Sequence, residues 1–298
     1  MAAFSYFPGC SLRGTGIAYD ESLRALFAQL GIGLTELDDW NCCGATSYMA
    51  IDEGAAFVLS GRNLSLARQA GNGDLLAPCA ACYLVLRKTQ HFVEHYPPIA
   101  EKVSKSLDAA GLPPLGAVRV RHPLEVLYTD VGLDRIRKAV ARKWRGGKIA
   151  CYYGCQVVRP FGEVDRTHDP TRMDELLRAA GIPTVDFALK TKCCGGSLTG
   201  TIHEVGVRLN YIILKEAVRK GAAAIATVCP LCQHNLDVYQ REIRKTTGEN
   251  LDVPVFYFTQ LLGWALGGEP AALGLKRQIS GVRLVRDWFA EEEVPAHA

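Results

Sequence analysis

The chain carries one pattern of residues twice, with the copies about 150 positions apart in a sequence of 298 residues. Six apolar or glycine positions of the first copy recur in the second: Leu23, Leu26, Phe27, Leu30, Gly31 and Ile32 match Met173, Leu176, Leu177, Ala180, Gly181 and Ile182. Three cysteine segments recur in the same order, starting at Cys10, Cys42 and Cys79 in the first copy and at Cys155, Cys193 and Cys229 in the second. A repeat of this length predicts two similar structural units. We therefore predict two duplicated domains, residues 1–146 and 147–298, joined near the loop Arg145-Gly146-Gly147.

Strand and helix signals alternate in the same order in both copies. Apolar runs at residues 3–7 and 149–153 predict a first strand, and runs at 75–77 and 223–228 predict a third. A second strand, between these two, is predicted to lead to the Cys-Cys-Gly segment of each half. The apolar positions from Leu23 to Leu30 have helical spacing, and Gly31 follows as a C-terminal cap. Ile202, Val205, Leu209 and Ile212, spaced by three, four and three residues, predict a long helix in the second half.

This alternation predicts an α/β fold with a parallel sheet flanked by helices in each domain. Sites in such sheets form beyond the carboxyl ends of the strands. All three cysteine segments of each half follow predicted strands, so we expect them to meet in loops at that edge.

Charge and hydropathy exclude two classes of function. With 34 basic and 31 acidic residues and no basic stripe, the chain has no signature of nucleic-acid binding. The longest apolar stretches, residues 253–266 and 222–229, are too short to span a membrane. Residues 1–10 lack the features of a signal peptide, which favours a cytoplasmic location. The acidic residues 291–293 predict a solvated tail.

Eleven cysteines in a reducing compartment indicate metal or redox chemistry rather than disulfides. Each half offers five thiolates: Cys10, Cys42, Cys43, Cys79 and Cys82, then Cys155, Cys193, Cys194, Cys229 and Cys232. Thiolate sulfur suits zinc, copper(I) and iron–sulfur clusters. A structural zinc takes four ligands, and adjacent cysteines tend to splay, so five thiolates with a vicinal pair favour a multinuclear cluster.

Three other interpretations of the cysteines remain open. Zinc bound by the two Cys-x-x-Cys pairs, redox-active dithiols without metal, and inert buried thiols are each compatible with part of the pattern. Cys151 has no counterpart in the first half, and we interpret it as a small buried apolar residue.

With these motifs in view, the chain resembles the B-type subunit of heterodisulfide reductase, within the wider Cys-Cys-Gly domain family. The shared pattern is a cysteine, a Cys-Cys-Gly segment and a Cys-x-x-Cys segment, present twice. Here the intervening gaps hold 31 and 35 residues in the first half and 37 and 34 in the second. Residues 152–155 and 257–262 also look like that subunit.

The resemblance implies two [4Fe-4S] clusters of noncubane type, each held by one set of five cysteines. It further implies that a disulfide substrate lies between the clusters and is cleaved, or formed in the oxidative direction, by paired one-electron steps. The ten cysteines would act in catalysis through the clusters. Methanogen heterodisulfide and lipoyl or other sulfane-carrying groups are alternative substrate classes.

The chain lacks a ferredoxin-type cysteine run, a glycine-rich dinucleotide fingerprint and an obvious flavin motif. No flavin or nicotinamide is therefore expected in it. Partners are implied instead: the C-type subunit of such complexes, which is ferredoxin-like and carries iron–sulfur clusters, and the A-type subunit, which is a flavoprotein. Arg13 and Arg159 follow cysteines closely and are candidates for contact with an anionic substrate.

Two other functions compete with a disulfide-cleaving subunit. One is an electron-relay subunit of a lactate, glycolate or succinate-type oxidoreductase, in which the same domain occurs. The other is a zinc-stabilised assembly module without redox activity.

Overall fold

Two parallel β-sheets, one in each half of the chain, form the framework of the fold. The computed structural model describes residues 3–71, 73–283, 285 and 287–289. The strands are β1 Ala3–Tyr6, β2 Gly33–Glu36, β3 Leu75–Leu76 and β4 Val120–Arg121, then β5 Ile149–Tyr152, β6 Thr184–Val185, β7 Ala224–Thr227 and β8 Val255–Tyr257. Their orders, β2-β1-β3-β4 and β6-β5-β7-β8, are the same topology repeated, and every pairing is parallel. The predicted α/β fold with two parallel sheets is confirmed.

Helices connect the strands in both halves. In the first half they are α1 Gly9–Leu12, α2 Ile17–Gln29, α3 Ser47–Ile51, α4 Glu53–Ala70, α5 Ala80–His95, α6 Pro97–Ala109, α7 Pro123–Val126 and α8 Leu133–Ala139, with a π-helical turn at Leu127–Val131. In the second half they are α9 Arg172–Ala179, α10 His203–Arg219, α11 Pro230–Val238, α12 Gln240–Thr247 and α13 Phe258–Ala265. Short 3-10 helices occur at Gly196–Gly200 and Leu275–Arg277.

The repeated helix of the sequence pattern is α2 in the first half and α9 in the second. Leu23, Leu26 and Phe27 of α2 are fully buried. The corresponding residues of α9 are equally buried: Met173, Leu176 and Leu177. Burying each large apolar side chain contributes about 1.5–3 kcal/mol, which explains why the stripe is present in both copies. Gly31 follows the C-cap of α2 at φ +65°, as its predicted capping role requires.

Helix α10 exists as predicted, but the apolar residues that predicted it lie mostly at the surface. Ile202, Val205 and Ile212 are between 41% and 50% exposed. The buried face of α10 instead includes Val207 and Leu214. The same spacing occurs on both sides of this helix, so periodicity identified the helix without identifying its inner face.

The fourth strand of each sheet, β4 and β8, was not predicted. β4 has only two residues, and β8 lies inside the long apolar stretch 253–266, where strand and helix cannot be told apart by periodicity.

The two halves share one continuous hydrophobic core. Helix α13 of the second half packs against α2 of the first. At that contact the hydroxyls of Ser22 and Thr259 are hydrogen-bonded at 2.6 Å, and the rings of Tyr19 and Tyr257 are stacked. The division of the chain into domains at residues 146 and 147 stays a prediction.

In the described part of the chain, no helix has the length and apolar character needed to cross a bilayer. The predicted tail at residues 291–293 lies outside the described residues.

Candidate metal centre

The ten motif cysteines lie in loops or first helical turns that follow strands, at the carboxyl edge of each sheet. Cys10 is in α1, directly after β1, and Cys155 follows β5. Cys79 and Cys229 are the N-cap residues of α5 and α11, which follow β3 and β7. The vicinal pairs Cys42-Cys43 and Cys193-Cys194 lie in the loops after β2 and β6. This is the edge at which parallel sheets form their sites.

Sulfur atoms from separate loops are in contact within each half. In the first half the Cys10 and Cys42 Sγ atoms are 3.9 Å apart, and those of Cys43 and Cys82 are 3.2 Å apart. In the second half the Sγ atoms of Cys194 and Cys232 are 3.6 Å apart. All are free thiols, and these distances far exceed the S–S bond of about 2.05 Å.

Hydrogen bonds between the sulfurs shift the pKa values of neighbouring cysteines in opposite directions. In the first half, hydrogen bonding by Cys10 lowers the pKa of Cys42 to about 2, and the pKa of Cys10 rises correspondingly. The hydrogen bond with Cys42 raises the pKa of Cys43 to about 12. These hydrogen bonds therefore favour loss of the proton from Cys42 over loss from its two neighbours.

The second half repeats this pattern. Hydrogen bonding by Cys155 lowers the pKa of Cys193 to about 2, and contact with Cys193 raises the pKa of Cys194 to about 12. The two vicinal pairs therefore show the same pattern of pKa shifts: the first cysteine has a lowered pKa and the second a raised one.

The two sets of five sulfurs meet at Cys79 and Cys229. A hydrogen bond from Cys229 lowers the pKa of the fully buried Cys79. Cys229 has the opposite shift: although its hydrogen bond with Cys232 lowers the pKa, contact with Cys79 and burial raise it to about 12. Short sulfur–sulfur distances and mutual effects on pKa link the ten cysteines into one row, in the order Cys10, Cys42, Cys43, Cys82, Cys79, Cys229, Cys232, Cys194, Cys193 and Cys155. We refer to the contact of Cys79 with Cys229 as the sulfur junction.

This donor set fits an iron–sulfur cluster in each half. Like charges in contact disfavour ionisation, so five neighbouring sulfurs become thiolates together only beside strong positive charge. Soft metal ions supply that charge. Among the described residues, no group of three or more histidine, cysteine or acidic side chains has the arrangement needed to bind a single metal ion.

The row is buried at its centre and open at its ends. The four sulfur residues nearest the sulfur junction are buried, namely Cys79, Cys82, Cys229 and Cys232. At the ends, Cys10, Cys42 and Cys193 are exposed and Cys155 is half-buried. A reactant from solvent therefore meets the outer sulfurs first.

Asn235 is a neighbour of the sulfurs that the sequence analysis missed. Its Nδ2 lies 3.5 Å from Cys194 Sγ and donates to the carbonyl of Gly196 at 2.9 Å. The backbone N–H of Gly196 also donates to Cys194 Sγ, at 3.4 Å. The position of Asn235 three residues after Cys232, on the same face of α11, was the available signal.

His122 is a buried side chain close to the sulfur junction. Its Nε2 lies 3.0 Å from the carbonyl of Pro78, the residue before Cys79, and it also bonds to the backbone of Val228, the residue before Cys229. Burial lowers the pKa of the ring to about 3, so His122 is neutral at physiological pH.

The two candidate arginines differ in their surroundings. Arg13 is bound by both carboxylate oxygens of Glu36, so its charge is already paired. Arg159 is exposed and donates to the carbonyl of Thr191, and its charge contributes to the lowered pKa of Cys193. Of the two, Arg159 is therefore the better placed to meet an anion beside a sulfur.

Cys151 lies outside the row of sulfurs. It is fully buried in β5, where it pairs with Ala226 of β7, and burial raises the pKa of its thiol. This placement agrees with its interpretation as a small apolar residue.

Comparison with known proteins places these motifs in context. The profile of a family described as a cysteine-rich domain (CCG) matches residues 4–87 and 149–237. The 8-methylmenaquinol:fumarate reductase membrane anchor subunit of Wolinella succinogenes is 30% identical over 278 residues, which cover 93% of this chain and 96% of that protein. The B subunit of the ferredoxin/F(420)H(2)-dependent CoB-CoM heterodisulfide reductase of Methanosarcina acetivorans is 27% identical over 282 residues, 93% of each chain. A protein of Archaeoglobus profundus, named for its likeness to the heterodisulfide reductase B subunit, is 30% identical over 280 residues, 91% of this chain and 92% of that one.

Among solved structures, a hypothetical protein from Helicobacter pylori superposes with a TM-score of 0.73 at 13% identity. The match covers 93% of this chain and about half, 52%, of that one. At this identity the similarity concerns the fold alone.

Proposed function

The chain belongs to the CCG cysteine-rich domain family and is homologous to the B subunit of heterodisulfide reductase, and from this we propose that it is the catalytic iron–sulfur subunit of a heterodisulfide reductase-like complex. The proposed reaction is cleavage or formation of a disulfide. One observation supports the proposal most directly: two equivalent sets of five thiols lie at the carboxyl edges of the two sheets and interact through Cys79 and Cys229 at the sulfur junction. Cleaving a disulfide takes two electrons, which matches the presence of two equivalent sets.

Each set would hold one noncubane [4Fe-4S] cluster through all five of its sulfurs. When bound, such a cluster supplies one-electron redox chemistry and a soft metal surface with affinity for sulfur. The chain contributes the environment: buried sulfurs at the centre exclude water, and the backbone N–H groups of Cys82 and Cys232, in the first turns of α5 and α11, donate to the sulfurs of Cys79 and Cys229.

The open ends of the row are where a disulfide or thiol substrate would approach. Arg159 lies beside Cys193 and is suited to hold a carboxylate or phosphate of that substrate. Arg13 would need to release Glu36 to do the same, so it is the weaker candidate.

Electrons would come from partner proteins. Because the chain has no dinucleotide fingerprint or ferredoxin-type run, the proposal includes a flavoprotein subunit together with a ferredoxin-like iron–sulfur subunit. Ten free motif thiols are best maintained in a reducing compartment, which supports a cytoplasmic location.

A second candidate is an electron-relay subunit of a respiratory-type oxidoreductase. It is supported by the 30% identity to a protein named as a fumarate reductase membrane anchor subunit. In that case the same clusters would pass electrons without binding a disulfide.

Metal analysis of anaerobically prepared protein tests the proposal. We expect about eight iron and eight sulfide per chain, as two four-iron clusters require. Replacing Cys155 with Ala should remove about half of this iron. The matched change Cys151→Ala, in the preceding strand, should leave the iron content unchanged. Colourless protein that holds zinc but no iron would refute both redox functions.

Electron paramagnetic resonance separates the two redox functions. If the chain handles disulfides, adding candidate thiols to the oxidised protein should change the spectrum, and reduced dye should support disulfide cleavage. A spectrum indifferent to every thiol, with no cleavage, would favour the electron relay.

A further inference from the structure

Two tyrosines, one from each half, are stacked where α2 meets β8 and α13. The ring centroids of Tyr19 and Tyr257 are 4.5 Å apart and the rings are within 7° of parallel. Both residues are almost entirely shielded from solvent, at 0% and 1% exposure. The rings therefore hold the two halves together by apolar contact, a role that phenylalanine would fill equally well.

The hydroxyl groups of this pair need a different explanation. Neither has a hydrogen-bond partner among the described residues, although both oxygen atoms are buried. Three other fully buried tyrosines, Tyr6, Tyr152 and Tyr153, each donate a hydrogen bond within the protein. A buried hydroxyl without a partner costs about 1–3 kcal/mol, so two at one place indicate an acceptor from outside the polypeptide.

The pair lies at the carboxyl edge of the second sheet, next to the sulfur junction. Tyr257 is the last residue of β8 and pairs in register with Thr227, which ends β7 two residues before Cys229. Tyr19 lies one turn after Gly16, which approaches the proline that follows Cys229. A Cβ added to Gly16 would lie only 3.0 Å from that proline's Cβ. Both tyrosines are thus tied to the segment that carries Cys229.

The electrostatic surroundings of the two hydroxyls agree with this location. Burial is the main cause of the raised pKa of both tyrosines, and charge on Cys229 and Cys79 raises both further. No carboxylate or arginine contributes to the raised pKa of Tyr19. The titratable groups that affect the pKa of Tyr19 are therefore Tyr257 and the two cysteines of the sulfur junction.

We propose that the hydroxyls of Tyr19 and Tyr257 donate hydrogen bonds into the sulfur junction, to sulfur atoms of the clusters bound there. This inference rests on the proposed function, because it assumes that clusters occupy the two cysteine sets. Hydrogen bonds to cluster sulfur withdraw electron density and raise the reduction potential. One tyrosine comes from each half, and the two stack where α2 packs against β8. The pair therefore links the reduction potentials of both clusters to the packing of the two halves.

The test removes each hydroxyl and keeps its ring. Tyr19→Phe, Tyr257→Phe and the double variant are prepared anaerobically, and their midpoint potentials are measured by paramagnetic resonance during redox titration. We expect potentials below that of the unchanged protein, lowest in the double variant. Release of iron to a chelator should be about tenfold faster for each hydroxyl removed, the lower end of the effect of losing a second-shell partner.

Tyr6→Phe is the matched control. Tyr6 is also fully buried and donates to Asp20, and no cysteine is among the groups that shift its pKa. Its loss should affect folding stability while leaving the potential unchanged.

Three results would overturn the inference. Unchanged potentials and iron release in both single variants would do so, as would equal shifts in the Tyr6→Phe control, which would indicate a general effect of packing. Unchanged protein that takes up no iron would overturn the inference together with the proposed function. The first two results would leave the proposed function standing.

Discussion

At the scale of single residues, burial and neighbours decide what each titratable group does. Hydrogen bonding with adjacent thiols lowers the pKa of Cys42 and Cys193. Burial in β5 raises the pKa of Cys151, which is of the same residue type. The sequence distinguished these roles by duplication alone, since Cys151 has no partner in the other half. It did not predict that Glu36 binds Arg13, because that ion pair joins residues on separate elements.

Asp237 on α11 provides a pH test of burial at this scale. Its carboxylate accepts hydrogen bonds from the backbone N–H of Ser280 and from Gln233, but burial dominates and raises its pKa to about 6. The unfolded value is about 3.9, so the folded state holds the proton more tightly. The contribution of Asp237 to the free energy of unfolding is fully present below about pH 4, and it is lost as the pH rises through about 6.

Asp237→Asn should therefore remove this loss of stability between pH 4 and 6. At pH 7 we expect the free energy of unfolding to increase by up to about 3 kcal/mol, the equivalent of two pKa units. Denaturant unfolding at pH 5, 6 and 7 measures the effect, with the exposed Asp38→Asn as control. An unchanged slope with pH in Asp237→Asn would contradict it.

At the scale of elements, strand ends and helix starts position the sulfurs. Each Cys-x-x-Cys segment begins a helix, so its second cysteine lies in the first turn, facing back toward the sheet edge. Cys10 and Cys155 are each preceded by a glycine whose conformation a larger residue could not easily adopt. Gly9 and Gly154 have φ values of +68° and +70°, and a Cβ there would lie 2.8 Å from Cys82 Sγ and 3.0 Å from Cys232 Sγ.

Gly154→Ala tests this close approach in the second half. The left-handed backbone costs an alanine about 1–2 kcal/mol, and the added methyl group presses on Cys232. We expect lower stability and loss of about half of the bound iron. Gly181→Ala is the matched control, because Gly181 has φ +78° and open space around it. It should lose similar stability and keep its iron; equal iron loss in both variants would refute the role of Gly154.

At the scale of the whole molecule, the shared core joins the two halves into one structure. The packing of α13 on α2 and the contact of Cys79 with Cys229 bring the two cysteine sets together. Two independent domains on a flexible linker would leave these sets apart. The duplication therefore brings two equivalent sets of cysteines into one structure, as the proposed two-electron chemistry requires.

Both sets should be needed for disulfide cleavage. Replacing Cys193 or Cys194 with Ala should abolish turnover with a reduced dye, even while the first set keeps its iron. The same is expected for Cys42 or Cys43 with the second set intact, because one centre alone would have to release a costly thiyl radical. Turnover and iron content are measured for both groups of variants. Clear activity in either group, with the untouched set loaded, would show that one centre suffices.

The sequence by itself determined the fold class, the duplication, the residues of both cysteine sets and their location at strand ends. These features follow from local spacing: helical and strand periodicity, caps, and motifs repeated at a nearly constant offset. Only the tertiary structure decided which face of α10 is buried, that Asn235 and His122 lie beside the sulfur sites, and that Tyr19 stacks on Tyr257. It also decided that the two sets meet at Cys79 and Cys229. These contacts join residues far apart in the chain, and their geometry depends on how the two halves pack, which no local spacing encodes.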